Sequence, residues 1–243
     1  MPMNKSSDTM IQLNGISKLY EMGGETLTAL DQASLTIKNG DFTSIMGPSG
    51  SGKSTLMNIL GLLDVFDEGE YILNNINIGE YSENEVAAIR NEQIGFIFQS
   101  FNLLPRMNLL ENVMLPLVYA GAPLKERQKK ATEALEKVGL GNRTDHRPNE
   151  ISGGQKQRVA IARAIVNDPA VILADEPTGN LDSKTTEDII RIFQELNRDG
   201  STIIMVTHEP EVAEYTKKIV HLRDGKIGKE EKIAPKSLIG GVH

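Results

Sequence analysis

The chain of 243 residues contains no cysteine and no apolar stretch long enough to cross a membrane. The absence of cysteine excludes disulfide bonds, cysteine-ligated zinc and thiol catalysis. A membrane helix needs about 20 apolar residues, and no window approaches that length. The first ten residues also lack the basic start and apolar stretch of a signal peptide. We therefore expect a protein that neither crosses a membrane nor is exported by itself.

Basic residues are also few, with 26 Lys and Arg against 33 Asp and Glu and a formal net charge of −7. A nonspecific nucleic-acid binder needs an excess of Lys and Arg to neutralise phosphates, so we expect no nucleic-acid partner. The length suits a single α/β domain over residues 1–243. One lysine-bearing glycine-rich loop and one Ser-Gly-Gly-Gln segment occur in the chain, so nothing suggests a tandem duplication within it.

The most informative segment is a glycine-rich loop that fits the pattern G-x-x-x-x-G-K-[ST]. In such a loop the backbone N–H groups and the start of the next helix face phosphate, while the lysine adds charge and the following serine can ligate Mg²⁺. A flexible Gly-Ser linker is disfavoured, because an apolar strand precedes the loop and an apolar helix follows it. The candidate nucleotide-binding residues are Gly47, Pro48, Ser49, Gly50, Ser51, Gly52, Lys53, Ser54 and Thr55.

A pair of acids, Asp175 and Glu176, follows the apolar run 171–174. A carboxylate at the carboxyl end of a parallel strand lies at the edge where such sheets bind ligands. Asp175 is the candidate for holding Mg²⁺ through water, and Glu176 is the candidate general base for a water that attacks the γ-phosphate. The alternative is that both acids cap the turn at Pro177.

The segment Ser152-Gly153-Gly154-Gln155 precedes an Ala- and Ile-rich run with high helix propensity. Two interpretations are compatible here. The serine can be a simple N-cap of the helix, and the exposed helix start can also serve as an anion site.

The remaining pattern predicts a mixed α/β fold. Apolar strands at 42–46, 171–174 and 202–206, with a helical stripe between the last two, form β-α-β units of a parallel sheet. Hairpins are predicted at Asn74-Asn75 and Asp224-Gly225. Ser82 and Glu85 form a capping box that begins a short helix, and Gly139 ends another. Residues from about 100 to 165 are predicted to be helical, and residues 1–10 and 228–243 are predicted to be flexible ends.

Together, Lys53, Gln99, the SGGQ segment, Asp175-Glu176 and His208 appear in an order that resembles the ATP-binding cassette (ABC) ATPases. The resemblance implies a P-loop NTPase (RecA-like) core with an antiparallel β subdomain and a helical ABC-specific subdomain. It also implies ATP and Mg²⁺ as cofactors, and ATP hydrolysis as the activity.

Several residue roles come from this resemblance alone. Tyr20 matches the aromatic residue that stacks on adenine, and Gln99 matches the residue that completes the Mg²⁺ and water shell and links to the membrane partner. His208 matches the residue that contacts the γ-phosphate and steadies the attacking water, although a lone histidine is more often structural. The resemblance further implies an ATP-dependent homodimer in which one subunit reaches the site of the other through Ser152, Gly153, Gly154, Gln155 and Asp182.

The text around these motifs, from about Ile11 to Ile227, is similar to the macrolide-export, lipoprotein-release and cell-division group of ABC ATPases. Members of this group dock on membrane permeases with a large extracytoplasmic part, which implies a peripheral ATPase on the cytoplasmic face of the membrane. The apolar segment from Phe101 to Pro116 would line the groove for the permease, or else pack within its subdomain.

Two alternatives belong to other functional classes. A soluble ABC ATPase of DNA repair would need a long coiled coil between Gln99 and Ser152, which are only 53 positions apart, and the translation type usually carries two cassettes. A member that regulates an extracytoplasmic process such as cell-wall remodelling, without transport, stays open.

Overall fold

The computed structural model describes residues 8–239, which form ten strands, seven α-helices and three short 3-10 turns. The strands are β1 (Thr9–Met22), β2 (Glu25–Lys38), β3 (Phe42–Met46), β4 (Glu68–Leu73), β5 (Ile76–Asn77), β6 (Ile94–Ile97), β7 (Val171–Asp175), β8 (Thr202–Val206), β9 (Lys218–Arg223) and β10 (Lys226–Lys232). The helices are α1 (Lys53–Leu60), α2 (Glu83–Gln93), α3 (Leu109–Tyr119), α4 (Leu124–Lys137), α5 (Gly153–Ile165), α6 (Ser183–Arg198) and α7 (Pro210–Ala213).

A six-stranded sheet forms the core, in the order β10-β9-β3-β8-β7-β6. Strands β9, β3, β8, β7 and β6 pair in parallel, and only β10 is antiparallel to its neighbour. Strands β3, β7 and β8 are almost entirely buried, which agrees with their continuous apolar sequences, since helices cover both faces of a parallel sheet. The parallel arrangement brings the carboxyl ends of β3, β7 and β8 to one edge.

A second, antiparallel sheet has the order β2-β1-β4-β5 and packs against α1. Its β4–β5 turn contains Asn74 and Asn75 at φ +47° and +64°, and the β9–β10 turn contains Asp224 and Gly225 at φ +50° and +76°. Both predicted hairpins are therefore confirmed, because these residue types tolerate positive φ better than most.

The segment from about 100 to 165 contains helices α3, α4 and the whole of α5. Their apolar faces meet in a shared core that includes Leu109, Val113, Leu117, Leu135 and Val159. The predicted capping box at Ser82 and Glu85 is present at the start of α2. Gly139 has φ +74° directly after the end of α4, as a helix-ending glycine does.

Regular structure extends further towards both ends than the predicted flexible segments allow. Met10 is buried in β1 rather than belonging to a free end, and residues 228–232 belong to β10. The alternating Lys and Glu residues that suggested a free tail are the charged side chains of an edge strand, where such residues discourage pairing with other chains. Residues 1–7 and 240–243 of the predicted ends lie outside the described residues.

Candidate functional site

The glycine-rich loop connects β3 to α1 at the carboxyl edge of the parallel sheet. A Cβ atom at Gly47 would lie 2.1 Å from the backbone oxygen of Leu222, and one at Gly52 would lie 2.5 Å from that of Ala29. Gly50 and Gly52 also have φ values of +78° and +99°. The loop path therefore needs glycine at these places, for space at Gly47 and for both space and backbone angle at Gly52.

Within this loop, the Lys53 ammonium donates hydrogen bonds to the backbone oxygens of Gly47 and Pro48, both at 2.8 Å. The charged group thus lies over the loop rather than in solvent. Ser54 is exposed, whereas Ser51 is only 2% exposed and its hydroxyl has no hydrogen-bond partner among the described residues. The structure places the cation and the exposed hydroxyl where the sequence predicted a phosphate and metal site.

Asp175 is the last residue of β7 and Glu176 follows it. Burial raises the pKa of Asp175, the neighbouring Glu176 raises it further, and Lys53 acts in the opposite direction. These electrostatic contributions show that the acid pair and the loop lysine share one site. A bound cation would relieve the repulsion between the two carboxylates.

Glu176 adopts φ +44°, a left-handed conformation that costs free energy for any residue with a Cβ atom. Its backbone N–H donates to Val206 O at 2.9 Å, which fixes the strained residue to β8. His208 follows β8, and its Nδ1 lies 3.0 Å from Glu176 Oε1, a distance at which a protonated Nδ1 donates to the carboxylate. Unusual backbone angles that the surrounding structure holds in place are concentrated at functional sites.

Gln99 also reaches this site, although it lies beyond the end of β6. A Cβ atom added at Gly179 would lie 2.9 Å from the side-chain nitrogen of Gln99 and 3.6 Å from Glu176 Oε2. The side chains of Gln99 and Glu176 therefore both approach Gly179. The backbone oxygen of Gln99 accepts a hydrogen bond from Asn180 at 3.3 Å. The structure thus brings together the phosphate loop, the acid pair, His208 and Gln99, as the sequence predicted.

Tyr20 lies in β1. Its hydrogen bond to Asp64 and its partial burial raise the pKa of the phenol, while Thr55 in α1 acts in the opposite direction. The phenol donates a 2.7 Å hydrogen bond to Asp64. The same carboxylate accepts from the buried Lys18 at 3.0 Å, and the ammonium of Lys18 lies 5.0 Å from the centre of the Tyr20 ring. Sequence reasoning missed this network, because no local pattern joins residues 46 positions apart.

The SGGQ segment begins α5 with a capping box. Ser152 Oγ accepts from the backbone of Gln155 at 3.3 Å, and the Gln155 side chain accepts from the backbone of Ser152 at 3.0 Å. Asp182 similarly caps α6 by accepting from the backbone and the hydroxyl of Thr185. Hydrogen bonds from Thr185 hold the pKa of Asp182 below its ordinary value. The helix-cap interpretation of Ser152 is therefore correct, and it leaves Ser152 and Gly153 exposed.

These two helix starts are adjacent. A Cβ atom at Gly154 would lie 2.3 Å from the Thr185 side chain, so a larger residue there would push α5 away from α6. The hydrogen bonds of Ser152 and Asp182 stay within their own caps. The structure therefore presents both residues on one exposed surface.

The oxygen donors at the sheet edge fit a magnesium ion. Mg²⁺ prefers oxygen ligands, and the Ser54 hydroxyl and the Asp175 carboxylate are of that kind. Within residues 8–239 no group of three or more His, Cys, Asp and Glu residues could hold a metal by itself. Such a sparse set agrees with the use of Mg²⁺ together with phosphate oxygens rather than in an all-protein cage.

Residues 30–179 match the family model described as ABC transporter. The chain belongs to the ABC transporter family. The ATP-binding protein YknY of Bacillus subtilis is 58% identical over 218 residues, which cover 90% of this chain and 95% of YknY. The macrolide export ATP-binding/permease protein MacB of Bdellovibrio bacteriovorus is 54% identical over 92% of this chain, which spans only 34% of that protein.

Solved structures agree with this assignment. The dimeric ATP-binding cassette MJ0796, in a post-hydrolysis state bound to ADP and Pi, superposes with a TM-score of 0.85 at 47% identity and covers 93% of this chain. The present chain is thus an ATP-hydrolysing ABC cassette, and the predicted P-loop NTPase fold with antiparallel β and helical parts is confirmed. No helix among residues 8–239 is long and apolar enough to span a membrane.

A large cavity of this ABC cassette lies away from the phosphate loop. It has a volume of about 830 Å³ and lies between α2, β6, α3 and α5. Phe96 and Phe98 line it as a stacked pair with ring centres 4.3 Å apart, and Tyr119, which is 81% exposed, forms part of its rim. The cavity is therefore a groove with an aromatic wall, and charged residues that include Arg90, Glu92 and Arg163 also line it.

The predicted groove residues from Phe101 to Pro116 line this cavity only at Asn102 and Pro116. Leu109 is fully buried, and the partly buried Leu103 and Leu110 pack against the helical core, which favours ordinary packing for these three residues. An apolar segment of sequence indicates that its side chains are buried, but it does not indicate whether they are covered by the protein's own core or by a partner.

Sequence reasoning also missed three polar residues that hold the site loops of the cassette. Asn112 is fully buried, and its side-chain amide accepts a hydrogen bond from the N–H of Leu104 and donates one to the backbone oxygen of Leu104. Gln157 is also fully buried and donates to Pro177 O at 2.8 Å, directly behind the acid pair. Arg163 donates to the turn that follows Gln99. Each partner is distant in sequence or lies in irregular backbone, so periodicity gives no signal for it.

Proposed function

We propose that two copies of this ABC cassette bind two Mg²⁺-ATP molecules between facing surfaces and thereby drive a separate membrane permease of the macrolide-export or lipoprotein-release type. The observation that carries the proposal is the division of the site residues into two groups. The phosphate loop, the acid pair, Gln99 and His208 meet at one sheet edge, while Ser152 and Asp182 lie on an exposed surface and bond only within their own caps. The dimeric form of MJ0796 supports the same arrangement.

In each site, the backbone N–H groups of the loop and the start of α1 would bind the phosphates. Lys53 would move its ammonium from the loop carbonyls to the β and γ phosphates, because charged oxygens are stronger acceptors than neutral ones. Ser54 would ligate Mg²⁺ directly, with Asp175 and Gln99 in the surrounding shell. The metal supplies neutralisation of charge on the transferred phosphoryl group.

Glu176 would accept the proton of the attacking water, and His208 would hold Glu176 and the γ-phosphate in place. The 3.0 Å contact between His208 and Glu176 supports this pairing. Glu176 has a left-handed backbone directly after β7, and its carboxylate lies near the position that the Gln99 side chain also reaches. Tyr20 would stack on adenine, with its ring orientation set by Asp64 and Lys18.

The second copy would complete the site. Ser152, Gly153 and Gly154, with the N–H groups of the α5 start, would bind the γ-phosphate held by the partner's loop, and Gln155 would keep the cap in place. Asp182 would contact the opposing copy across the dimer seam. Hydrolysis would remove the shared γ-phosphate and let the copies separate.

The permease would bind in the groove of about 830 Å³, and the chain would thus act at the cytoplasmic face of the membrane. The fusion of an ATP-binding part and a permease in the relative MacB supports such a partner. The groove adjoins the turn after Gln99, because Asn102 lines its wall. Binding of the permease in the groove would therefore act on residues next to the catalytic edge.

Hydrolysis by the Glu176→Gln variant tests the site assignment. We expect turnover to fall by about 10²- to 10⁴-fold with ATP binding intact, because only the base is lost. The matched control is Glu211→Gln, an exposed acid on α7. Near-normal turnover in Glu176→Gln would remove Glu176 from the role of base.

Pull-down with the permease encoded by a neighbouring gene tests the partner. Tyr119→Asp places a charge on the groove rim and is expected to abolish the association while leaving the ATPase of the isolated cassette unchanged. Leu124→Asp, at an exposed apolar residue outside the groove, is the control and should leave binding intact. Equal binding by both variants would contradict the groove assignment.

A further inference from the structure

The turn directly after Gln99 has an unusual backbone. Phe101 and Asn102 both adopt left-handed conformations, with φ values of +61° and +49°. Asparagine tolerates this region, but an aromatic residue rarely does, and two such residues in succession are disfavoured. Some other part of the protein must hold this turn in place.

Arg163 forms the contact that holds it. Its two terminal nitrogens donate to Asn102 O at 2.6 Å and to Phe101 O at 2.8 Å. Among residues 8–239, Arg163 has no acidic partner within ion-pair distance, and burial lowers its pKa. A guanidinium presents two donors in a rigid fork, which suits two successive carbonyls in a way that a lysine ammonium does not.

The position of Arg163 links this turn to distant parts of the site. It lies in the last turn of α5, whose N-cap is Ser152. Gln157, on the same helix, donates to the backbone behind the acid pair. One helix of 13 residues thus carries the exposed anion site at its start and a clamp on the Gln99 turn at its end.

We propose that Arg163 is a positioning residue for ATP hydrolysis, which clamps the Phe101–Asn102 turn so that Gln99 and the start of α5 move as one rigid unit. Arg163 acts through Gln99 and does not touch the nucleotide. The proposal rests on the function proposed above, because it takes Gln99 to be part of the catalytic edge. Permease binding in the adjoining groove would act on both ends of α5 through this clamp.

Arg163→Lys is the first test, because it keeps the charge but loses the two-pronged contact. We expect kcat to fall about 10-fold, while KM for ATP stays within about 2-fold, since the phosphate loop is unaltered. Arg158→Lys is the matched control, because Arg158 lies on the same helix and bonds Val138 O and Asp188. Its kcat should equal that of the parent protein. Equal kcat in Arg163→Lys and the parent would overturn the proposal.

A double-mutant cycle with Gln99→Ala separates positioning from a general structural effect. If Arg163 acts through Gln99, Arg163→Lys produces no further loss of kcat in the Gln99→Ala protein. A full additional 10-fold loss there would overturn the role of Arg163 and leave that of Gln99 intact. Parent-like turnover in Gln99→Ala would instead remove Gln99 from the catalytic edge, and the proposal for Arg163 with it.

Asn102→Pro tests the same turn without altering α5, in case Arg163→Lys fails to fold. Proline fixes φ near −65°, which is incompatible with the φ of +49° at this position. We expect a similar fall in kcat with KM retained, in a variant whose circular dichroism spectrum matches the parent. Parent-like kcat in a folded Asn102→Pro protein would contradict the proposal.

Discussion

The phosphate loop and the surface around Ser152 are both proposed to face the same phosphate, yet the protein forms them in different ways. The loop is enclosed by its own chain, because Gly47 lies against β9 and Gly52 against β2. Ser152 and Gly153 are exposed, and the side-chain hydrogen bond of Ser152 stays within its own helix cap. The first surface is formed within one copy, whereas we propose that the second contacts another copy.

The two surfaces also differ in how many energetically unfavourable features they contain. The loop side accumulates unfavourable features, namely the strained Glu176, the raised pKa of Asp175 and the buried, unpartnered Ser51 hydroxyl. The Ser152 side is well satisfied by its capping box. The proposed catalytic edge therefore carries backbone strain that the helix cap at Ser152 does not.

The largest expected effect comes from Gly47→Ala on the loop side. A Cβ atom there would meet the backbone of Leu222 at 2.1 Å, so the loop must shift, and ATP affinity should fall by about 100-fold or more. Gly50→Ala is the matched control, because it meets no atom within 4 Å and suffers only from its backbone angle. Titration of a fluorescent ATP analogue compares the two, and equal affinities would show that space at Gly47 is not critical.

Asp175→Asn should lower hydrolysis by about 10²-fold or more while stabilising the nucleotide-free protein. Because burial and Glu176 raise the pKa of Asp175, its ionised form costs free energy in the folded state at neutral pH. The gain in melting temperature should be complete at pH values above the pKa of Asp175 in the folded protein. It should disappear as the pH falls below the ordinary pKa of an aspartate in the unfolded chain. For a chain of this size, a gain of 1 kcal/mol in the free energy of unfolding raises the melting temperature by about 2–4 °C. A lower melting temperature at pH 7 would refute this explanation.

On the other surface, Ser152→Ala should lower turnover by about 10-fold or more without weakening ATP binding to the single copy. The comparison is with Ser82→Ala, which removes the serine of the α2 capping box, away from the site. Both variants should lose similar stability, typically about 1 kcal/mol. Only Ser152→Ala should lose turnover, and a parallel loss in Ser82→Ala would reduce the role of Ser152 to capping.

The smallest effect is expected from Tyr20→Phe, which keeps the ring but removes its hydrogen bond to Asp64. We expect KM for ATP to rise about 3-fold with kcat unchanged, because one neutral-to-charged hydrogen bond that orients the ring is lost. Tyr81→Phe, at an exposed tyrosine in the loop before α2, is the control. A change in kcat rather than KM would place Tyr20 outside the binding of adenine.

The same comparison shows what the sequence could predict. The loop, the acid pair, the two hairpins and the Ser82–Glu85 capping box are set by residues close together in the chain, and the sequence predicts each of them. The Lys18–Asp64–Tyr20 network and the Arg163 clamp join residues 44 to 62 positions apart, which no local pattern reveals. The apolar character of Leu103, Leu109 and Leu110 predicts that they are shielded from solvent, and they do pack in or against the helical core. The sequence could not distinguish such a core from a binding groove.

The central claim is that the exposed Ser152 surface of one copy completes the phosphate site of another. The direct measurement is the molar mass of Glu176→Gln by light scattering after gel filtration, with Mg²⁺-ATP and with ADP. The account predicts the mass of two chains with ATP and of one chain with ADP, and loss of the ATP-dependent dimer when Ser152→Ala and Gly154→Val are added. A single-chain mass with ATP would contradict it.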